Sequence, residues 1–508
     1  MRMKRMPTNE SPRQSGPPQA DDLRRSSGAP VATPGRPVLA GLSLLCAAAI
    51  AGAGSLSSRA ATPGTLDLAF NPGSAVGTNY GGGVRAVLAQ PDGRVVVGGQ
   101  FSGVNGASHD HIVRLSPNGT VDETFQARVT AQGGYAAVDA LVLAGTQILI
   151  GGTFDSVNGY ARRGLARLNP DGTLDLAFNP NLGYIPQARL ILVQPDGNII
   201  VGGFAISASA GGAYRFDLVR LFPDGTLDLS FDIGLQGLGG FIYTGALQPD
   251  GKVLVGGFFP GDRCPTNIAR FNANGSLDTA YWPRFDTVGI IYGLAVQADG
   301  KAVIAGDFDN VNGITRYGYA RLHADGSLDT TFELRDAGTN CFSAGGRLTS
   351  VVIQPDQKIL LGGMFMPWSG RFVDRAARFL TDGAPDPEFV SVIADTSVET
   401  LGMQSDGKIL VGGWFSHFGG SPRKCIARLH GDAGTPSRVE LALQRPRDGL
   451  ARLTFATQPG RRYAVECSSD LQAWSEWTNF FAGSWLTQTA DPASGASNRR
   501  FYRARLLP

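Results

Sequence analysis

Residues 194–203 read Q-P-D-G-N-I-I-V-G-G, a turn signal followed at once by an apolar run that ends on two glycines. Proline fixes φ for the first turn position, and Asp and Gly suit the positions after it. A short β-branched run bounded by such signals reads as a strand. The pattern recurs at Gln90 to Gly99, Gln248 to Gly257 and Gln354 to Gly363, with weaker copies at Ala144 to Gly152, Gln297 to Gly306 and Gln404 to Gly413. Two further landmarks keep the same spacing. An A/V-R-L/F triplet carries Arg114, Arg167, Arg220, Arg270, Arg321, Arg378 and Arg428, and a G-S/T-L-D-x-x-F element carries Asp67, Asp122, Asp175, Asp228, Asp278, Asp329 and Asp386. One unit of about fifty residues therefore repeats from position 64 to about 432.

Each unit holds four short runs rich in Val, Ile, Leu and Phe, which predict a four-stranded antiparallel meander, strands a to d. In the third unit these fall at 188–194, 198–204, 218–222 and 226–231. Seven such units predict an all-β, seven-bladed β-propeller over residues 61–432. The last unit stops after Ala427-Arg428-Leu429, while an orphan copy of the fourth run, Gly64 to Phe70, precedes the first unit. Pairing the orphan with strand c of the last unit would close the ring and remove its sheet edges.

The units resemble delta-60 repeats of exported bacterial proteins in Gln194-Pro195-Asp196-Gly197, in Phe308 to Gly313 (F-x-x-V-N-G) and in Asp325 to Phe332 (D-G-S-L-D-T-T-F). The resemblance covers about three quarters of the chain. It implies a propeller-like fold and brings no common activity with it. Units three, four and six lack the V-N-G element, so their loops between strands b and c are expected to differ.

Composition agrees with a turn-rich β protein: 69 glycines and 30 prolines in 508 residues, with 17% charged. The net charge is +2, but residues 1–60 hold eight Lys/Arg against three Asp/Glu, which leaves −3 for the rest. Nothing here supports nucleic-acid binding. Residues 1–60 read as a signal peptide, basic up to Arg36, apolar from Val38 to about Leu56, and cut after Ser58-Arg59-Ala60, or as a signal anchor if retained. A membrane contact is expected only in the second case. Secretion or placement in the cell envelope follows from either. Cys46 lacks the small neighbour of a lipoprotein box, and Cys264, Cys341, Cys425 and Cys467 show no C-x-x-C spacing for zinc.

The turn Asn169-Pro170-Asp171-Gly172 predicts a three-residue hairpin loop that sets Arg167 opposite Asp175. The same eight-residue offset recurs in the units up to Arg378 and Asp386, and Arg428 would meet Asp67 across the closure. Recurrence in every unit favours a structural ion pair over seven ligand sites. The turn aspartates stand singly, whereas calcium loops need several oxygen ligands in a short window.

Function is expected on the rim that carries the long, variable b–c and d–a loops. Those loops hold Tyr80, Tyr135, Tyr160, Tyr184, Trp282, Trp368, Arg371 and His417, residues suited to sugar faces or peptides, although loop packing explains many of them. A sharper candidate is the second residue of each strand a, which borders the channel mouth: Arg85, Asp139, Arg189, Tyr243, Tyr292, Thr349 and Glu399. Unlike the landmarks these differ from unit to unit, as a specific site would, and as solvated channel lining also could.

Enzyme signatures are sparse. A calcium-dependent hydrolase would draw on Asp139 and Glu399 alone, sialidase boxes are absent, and His109, His111, His323, His417 and His430 come without a G-x-S-x-G elbow. After Gly431 to Pro436 the repeat gives way to alternating runs such as Arg462 to Cys467 and Arg500 to Arg503, which predict a small β-sandwich over 437–508. The segments Gly460 to Trp474 and Arg499 to Arg505 resemble a short module appended to exported bacterial proteins. The sequence thus points to a non-catalytic exported binding or adhesion scaffold with no cofactor, whose partner is a polysaccharide or a cell-surface protein. The alternative is a metal-dependent hydrolase working at the channel mouth.

Overall fold

The computed structural model describes residues 61–73, 76–77, 82–180, 183–210, 212–234, 237–260, 266–285, 289–333, 335–336, 339–340, 347–364, 375–390, 394–432, 441–444, 451–456, 462–468, 475–481, 486–491 and 501–506. Residues 1–60, Tyr80, Trp368, Arg371, Cys264 and Cys341 lie outside them. The described elements are all β. In the first unit, strand a is Val84–Ala89, strand b Val95–Gly99 and strand c Ile112–Leu115, in the order a-b-c with every pair antiparallel. The same order recurs through the seventh unit, with strands Val398–Met403, Ile409–Gly413 and Ile426–Leu429.

Strand b is apolar on both faces because neighbouring units cover both. Val95, Val96 and Val97 are all fully buried, as are Leu149 and Ile150 in unit two. The core is accordingly divided among the seams between units. Val96 and Ile112 of the first unit pack with Val138 and Ile150 of the second, and the series continues around to Val303 with Leu361. At the two ends of the repeat array, Phe70, Val84 and Val97 share a cluster with Leu410 and Ile426.

The expected fourth strand is shorter than the sequence suggested. In unit three it is a single bridge, Leu221 to Leu227, where a strand over 226–231 was expected. The reason lies in the aspartate that follows. The carboxylate of Asp228 accepts the backbone N–H and the hydroxyl of Ser230, so the chain turns out of the sheet and buries Phe231. At the N-terminus, Leu66 makes the same kind of bridge with Leu429, Asp67 N–H donates to Arg428 O at 2.8 Å, and His430 N–H donates to Thr65 O at 2.8 Å.

The seven Arg–Asp pairs are all formed, with Nε to Oδ2 distances of 2.7–2.9 Å. Each guanidinium also lies over the aromatic ring three residues beyond its aspartate, at 4.3–5.0 Å from the centroid. Its Nη1 then reaches the c–d turn of the next unit. Arg167 donates to Pro223 O and Arg220 to Ala273 O, both at 2.6 Å, while Arg428 of the last unit donates to Pro117 O of the first at 2.7 Å. In unit six, Asp432 takes the place of that carbonyl and receives Arg378 at 2.8 and 2.9 Å. The basic residue of the Q-P-D-G-K/R turn adds a second cation in several units, as with Lys252 to Asp278 at 2.7 Å and Lys301 to Asp329 at 3.2 Å. The pair therefore braces strand c, pins the following turn and staples one unit to the next.

The b–c connections vary as the sequence suggested. Units with V-N-G form a small hairpin whose Asn and Gly both take positive φ, for example Asn158 at 51° and Gly159 at 80°. Unit three instead extends strands b and c into a long hairpin, Ile199–Ala210 with Ala213–Leu221. Beyond residue 440 the described segments form two three-stranded antiparallel sheets, one from Leu441–Gln444, Ala451–Ala456 and Leu486–Asp491, the other from Ser475–Phe481, Arg462–Ser468 and Phe501–Leu506.

Candidate functional site

The varied residue near the start of every strand a, second in units one and seven and third in the other five, sits at a β-bulge. The pairing of strands a and b skips one residue between Val84 and Ala86, Val138 and Ala140, Ala188 and Leu190, Ile242 and Thr244, Ile291 and Gly293, Leu348 and Ser350, and Val398 and Thr400. The residues skipped are Arg85, Asp139, Arg189, Tyr243, Tyr292, Thr349 and Glu399. A bulge adds a residue to one strand and re-aims its side chain. The second glycine of each Gly-Gly makes room for it: a Cβ on Gly203 would lie 2.0 Å from Gln187 O, and one on Gly257 would lie 1.9 Å from Phe241 O. The glycine that ends each apolar run is thus the partner of the bulge that points the facing residue inward.

All seven bulge residues line one cavity of 420 Å³, together with Arg347, Ser350, Thr400, Trp414 and a few neighbours. They do not play equal parts. Arg85 donates to Asp139 at 2.8 Å, to Gln100 at 3.1 Å and to the Tyr135 hydroxyl at 3.1 Å, and it lies 6.0 Å from the Trp414 ring. Burial opposes the Arg85 charge, but Asp139 and Tyr135 outweigh it and the guanidinium pKa is raised. The second carboxylate oxygen of Asp139 accepts the Gln187 amide at 2.8 Å, so both oxygens of this buried group are engaged. Glu399 accepts from Ser397 at 2.9 Å, and the Thr349 hydroxyl donates to Val398 O at 2.6 Å.

The wall formed by units three to six is aromatic and cationic. Arg189 lies 4.9 Å from the Tyr243 ring, Tyr243 meets Tyr292 edge-on at 5.1 Å, and Arg347 lies 4.0 Å from the Tyr292 ring. Burial raises the Tyr292 hydroxyl pKa, against the pull of Arg347, so it stays protonated as a donor. From Tyr243 the stack continues outward through Phe241 at 6.1 Å to Phe204 at 4.2 Å, and Phe204 on the long hairpin of unit three is 39% exposed. Arg347, Trp414, Phe241 and Phe204 escaped sequence reasoning, whereas Tyr243 and Tyr292 are among the expected residues. The cue for Trp414 is that it follows the Gly-Gly pair of its own unit directly.

The outer-loop candidates are dispersed. Trp282 and His417 are exposed and do not line the cavity, and Tyr184 falls in the two-residue strand Gly183–Tyr184. Tyr135, by contrast, joins the mouth through Arg85. His417 Nδ1 lies 3.3 Å from Asp395 and 3.0 Å from the Ser416 hydroxyl. This is not a catalytic triad, because the serine hydroxyl bonds the carboxylate itself and the histidine presents the same nitrogen to both. Burial opposes the Asp395 charge, but Ser416 and His417 outweigh it and hold that carboxyl down at about 2. Among the described residues no group of three or more His, Cys, Asp or Glu is placed to hold a metal ion.

Comparison with known proteins bears on the fold. Among curated proteins, none matches the sequence. Solved structures with limited likeness include a fungal alcohol oxidase in complex with copper (14% identity over 87% of this chain and 91% of that one, TM-score 0.40). A protein of unknown function from Dyadobacter fermentans is 11% identical over 57% of this chain and 93% of that one, with a TM-score of 0.31. An ulvan lyase of polysaccharide lyase family PL25 is 12% identical over 71% of this chain and 96% of that one, with a TM-score of 0.34. One family profile, described as "Domain of unknown function (DUF5122) beta-propeller", matches residues 90–125, 147–178, 194–231, 248–281, 297–332, 354–389 and 404–432. With a copy of strands b and c and of the brace arginine in each of those seven segments, this chain is a β-propeller repeat protein.

Proposed function

We propose that this chain is a non-catalytic exported binding scaffold, a closed seven-bladed propeller of the delta-60 kind followed by a small β-sandwich, whose ligand sits in the cavity ringed by the seven bulge residues. The observation that carries this reading is the contrast between landmarks and bulges. Arg, Asp and the glycine that ends each strand b run repeat from unit to unit, whereas the bulge positions bring five residue types to one 420 Å³ space. A volume of that size suits a small molecule or one or two sugar residues. Closure is supported by the Leu66 to Leu429 bridge, by the Arg428 to Pro117 staple and by Gln404 donating to Gly93 O at 3.0 Å.

The hydrolase alternative draws little from the site. Asp139 is fully engaged by Arg85 and Gln187, which leaves Glu399 as the one available carboxylate among the bulge residues. The test is a glycan and small-molecule panel read by titration calorimetry on the wild-type chain, Glu399→Trp and Trp282→Ala. A ligand lost on filling the cavity at Glu399 and kept in Trp282→Ala supports the proposal. A ligand with the opposite pattern moves the site to the outer loops.

A further inference from the structure

Arg189 and Arg347 stand at the two ends of the row Arg189, Tyr243, Tyr292, Arg347 inside the cavity. Every arginine that braces a seam has an aspartate against it, and Arg85 has Asp139. Among the described residues Arg189 and Arg347 have no such partner. Asp307, whose carboxyl feels the Arg347 charge, makes no ion pair with it, and Glu399 is held by Ser397. The Arg189 Nε is moreover buried without an acceptor, as are those of Arg162, Arg316, Arg375 and Arg423, but of these five only Arg189 lines the cavity, where a ligand oxygen can reach it.

We infer that the ligand of this cavity is an acidic saccharide whose carboxylate is received on the wall of Arg189 and Arg347. The inference rests on the cavity being the binding site and names the class of molecule it takes. A guanidinium backed by an aromatic face keeps its N–H fork directed at a planar, bidentate acceptor, and a carboxylate is that acceptor. The rest of the lining suits hydroxyl groups: Thr244, Ser350 and Thr400 offer hydroxyls, and Glu399 faces the same space as an acceptor. Leu294 and Val351 are the sole aliphatic side chains of the lining, which gives an acidic peptide little apolar purchase. The stack from Tyr243 through Phe241 to half-exposed Phe204 supplies an aromatic path out of the cavity for further sugar rings.

Calorimetry on the full chain tests this with trigalacturonate and a glucuronate-bearing tetrasaccharide, each beside its uncharged methyl ester, and with a sulfated galactan oligomer and pentaglutamate. At least one acid should bind about tenfold or more tightly than its ester, since charge-assisted hydrogen bonds are lost on esterification. Arg189→Gln and Arg347→Gln should each bring acid and ester to within about twofold of one another while the chain still melts in one transition, since each loses a ring contact but no ion pair. Equal binding of acid and ester in the wild type overturns the inference, as does binding of the sulfated oligomer alone, of pentaglutamate alone, or of none of the saccharides. Glu399→Trp separates the two levels. Equal acid and ester binding that disappears in Glu399→Trp removes the acidic ligand and keeps the cavity, whereas saccharide binding that survives Glu399→Trp removes the cavity as the site.

Discussion

Replacing Asp329 by alanine removes the hub of the unit-five brace. Its carboxylate is 1% exposed and takes Arg321 at 2.9 Å, Lys301 at 3.2 Å and the Thr331 N–H at 3.0 Å. The variant leaves Arg321 buried at 8% exposure, over Phe332 and bonded to Thr381 O at 2.5 Å, with its counter-ion gone. Removing one member of a buried pair costs about 3–5 kcal/mol, because the survivor is stranded in a poor solvent for charge. Unfolding entropy is about 2.1 cal/mol/K per residue, so a repeat region of roughly 370 residues that melts as one unit loses about 4–6 °C. Asp175→Ala should do less, by about 1–2 kcal/mol, since its pair with Arg167 is 13% and 15% exposed and water can take over part of the work. Differential scanning calorimetry on the two variants checks the order. Equal shifts, or a larger loss at Asp175, would refute the claim that burial of the seam pair sets its worth.

Other consequences follow from the same contacts. Burial alone would raise the Asp329 carboxyl pKa, but Thr331, Lys301 and Arg321 overcome it and hold it well below the usual carboxylate range; Asp122, Asp228 and Asp386 are lowered likewise. Groups depressed in the fold contribute stability above their unfolded pKa of about 4 and lose it as the pH falls below that value, so urea midpoints should be level from pH 7 to 5 and fall steeply from 4 to 2.5. A midpoint independent of pH over that range contradicts the brace. Gly257→Ala should cost roughly 3 kcal/mol or more and Gly251→Ala about 1 kcal/mol, because a methyl at 257 meets Phe241 O at 1.9 Å while one at 251 meets open space and suffers only its φ of 84°. Matching urea midpoints for these two variants would remove the bulge explanation.

Much of this was legible because the repeat landmarks are local. Asn169-Pro170-Asp171-Gly172 fixes a turn, the turn fixes which residues face one another, and the eight-residue offset from Arg167 to Asp175 follows from it; the bond is present at 2.8 Å. Variation at the second position of strand a likewise marked the residues that line the cavity. What stayed hidden depends on contacts between units. No local pattern states that Arg167 also reaches Pro223, or that Lys301 shares Asp329. The bulge was missed because alternation along a strand says nothing of an extra residue, although a recurrent Gly facing the same strand position carries the signal. The long hairpin of unit three is not expected from residues 205–217, since Ser, Ala and Gly have weak strand preference. It forms nonetheless, with Ser207 paired to Phe216 and Ala208 to Arg215.

The proposed ring requires residues 64–70 to supply the fourth run that the seventh unit lacks, beside the cavity that Glu399 and Arg85 both border. The Arg428 guanidinium meets Asp67 at 2.9 Å across 361 residues of sequence, so a double-mutant cycle of Asp67→Ala and Arg428→Ala reads that closure directly. The closed ring requires a coupling of about 1.5–3 kcal/mol between the two sites. Effects that add to within about 0.5 kcal/mol would mean the two ends never meet, and the cavity would lose its circle of seven.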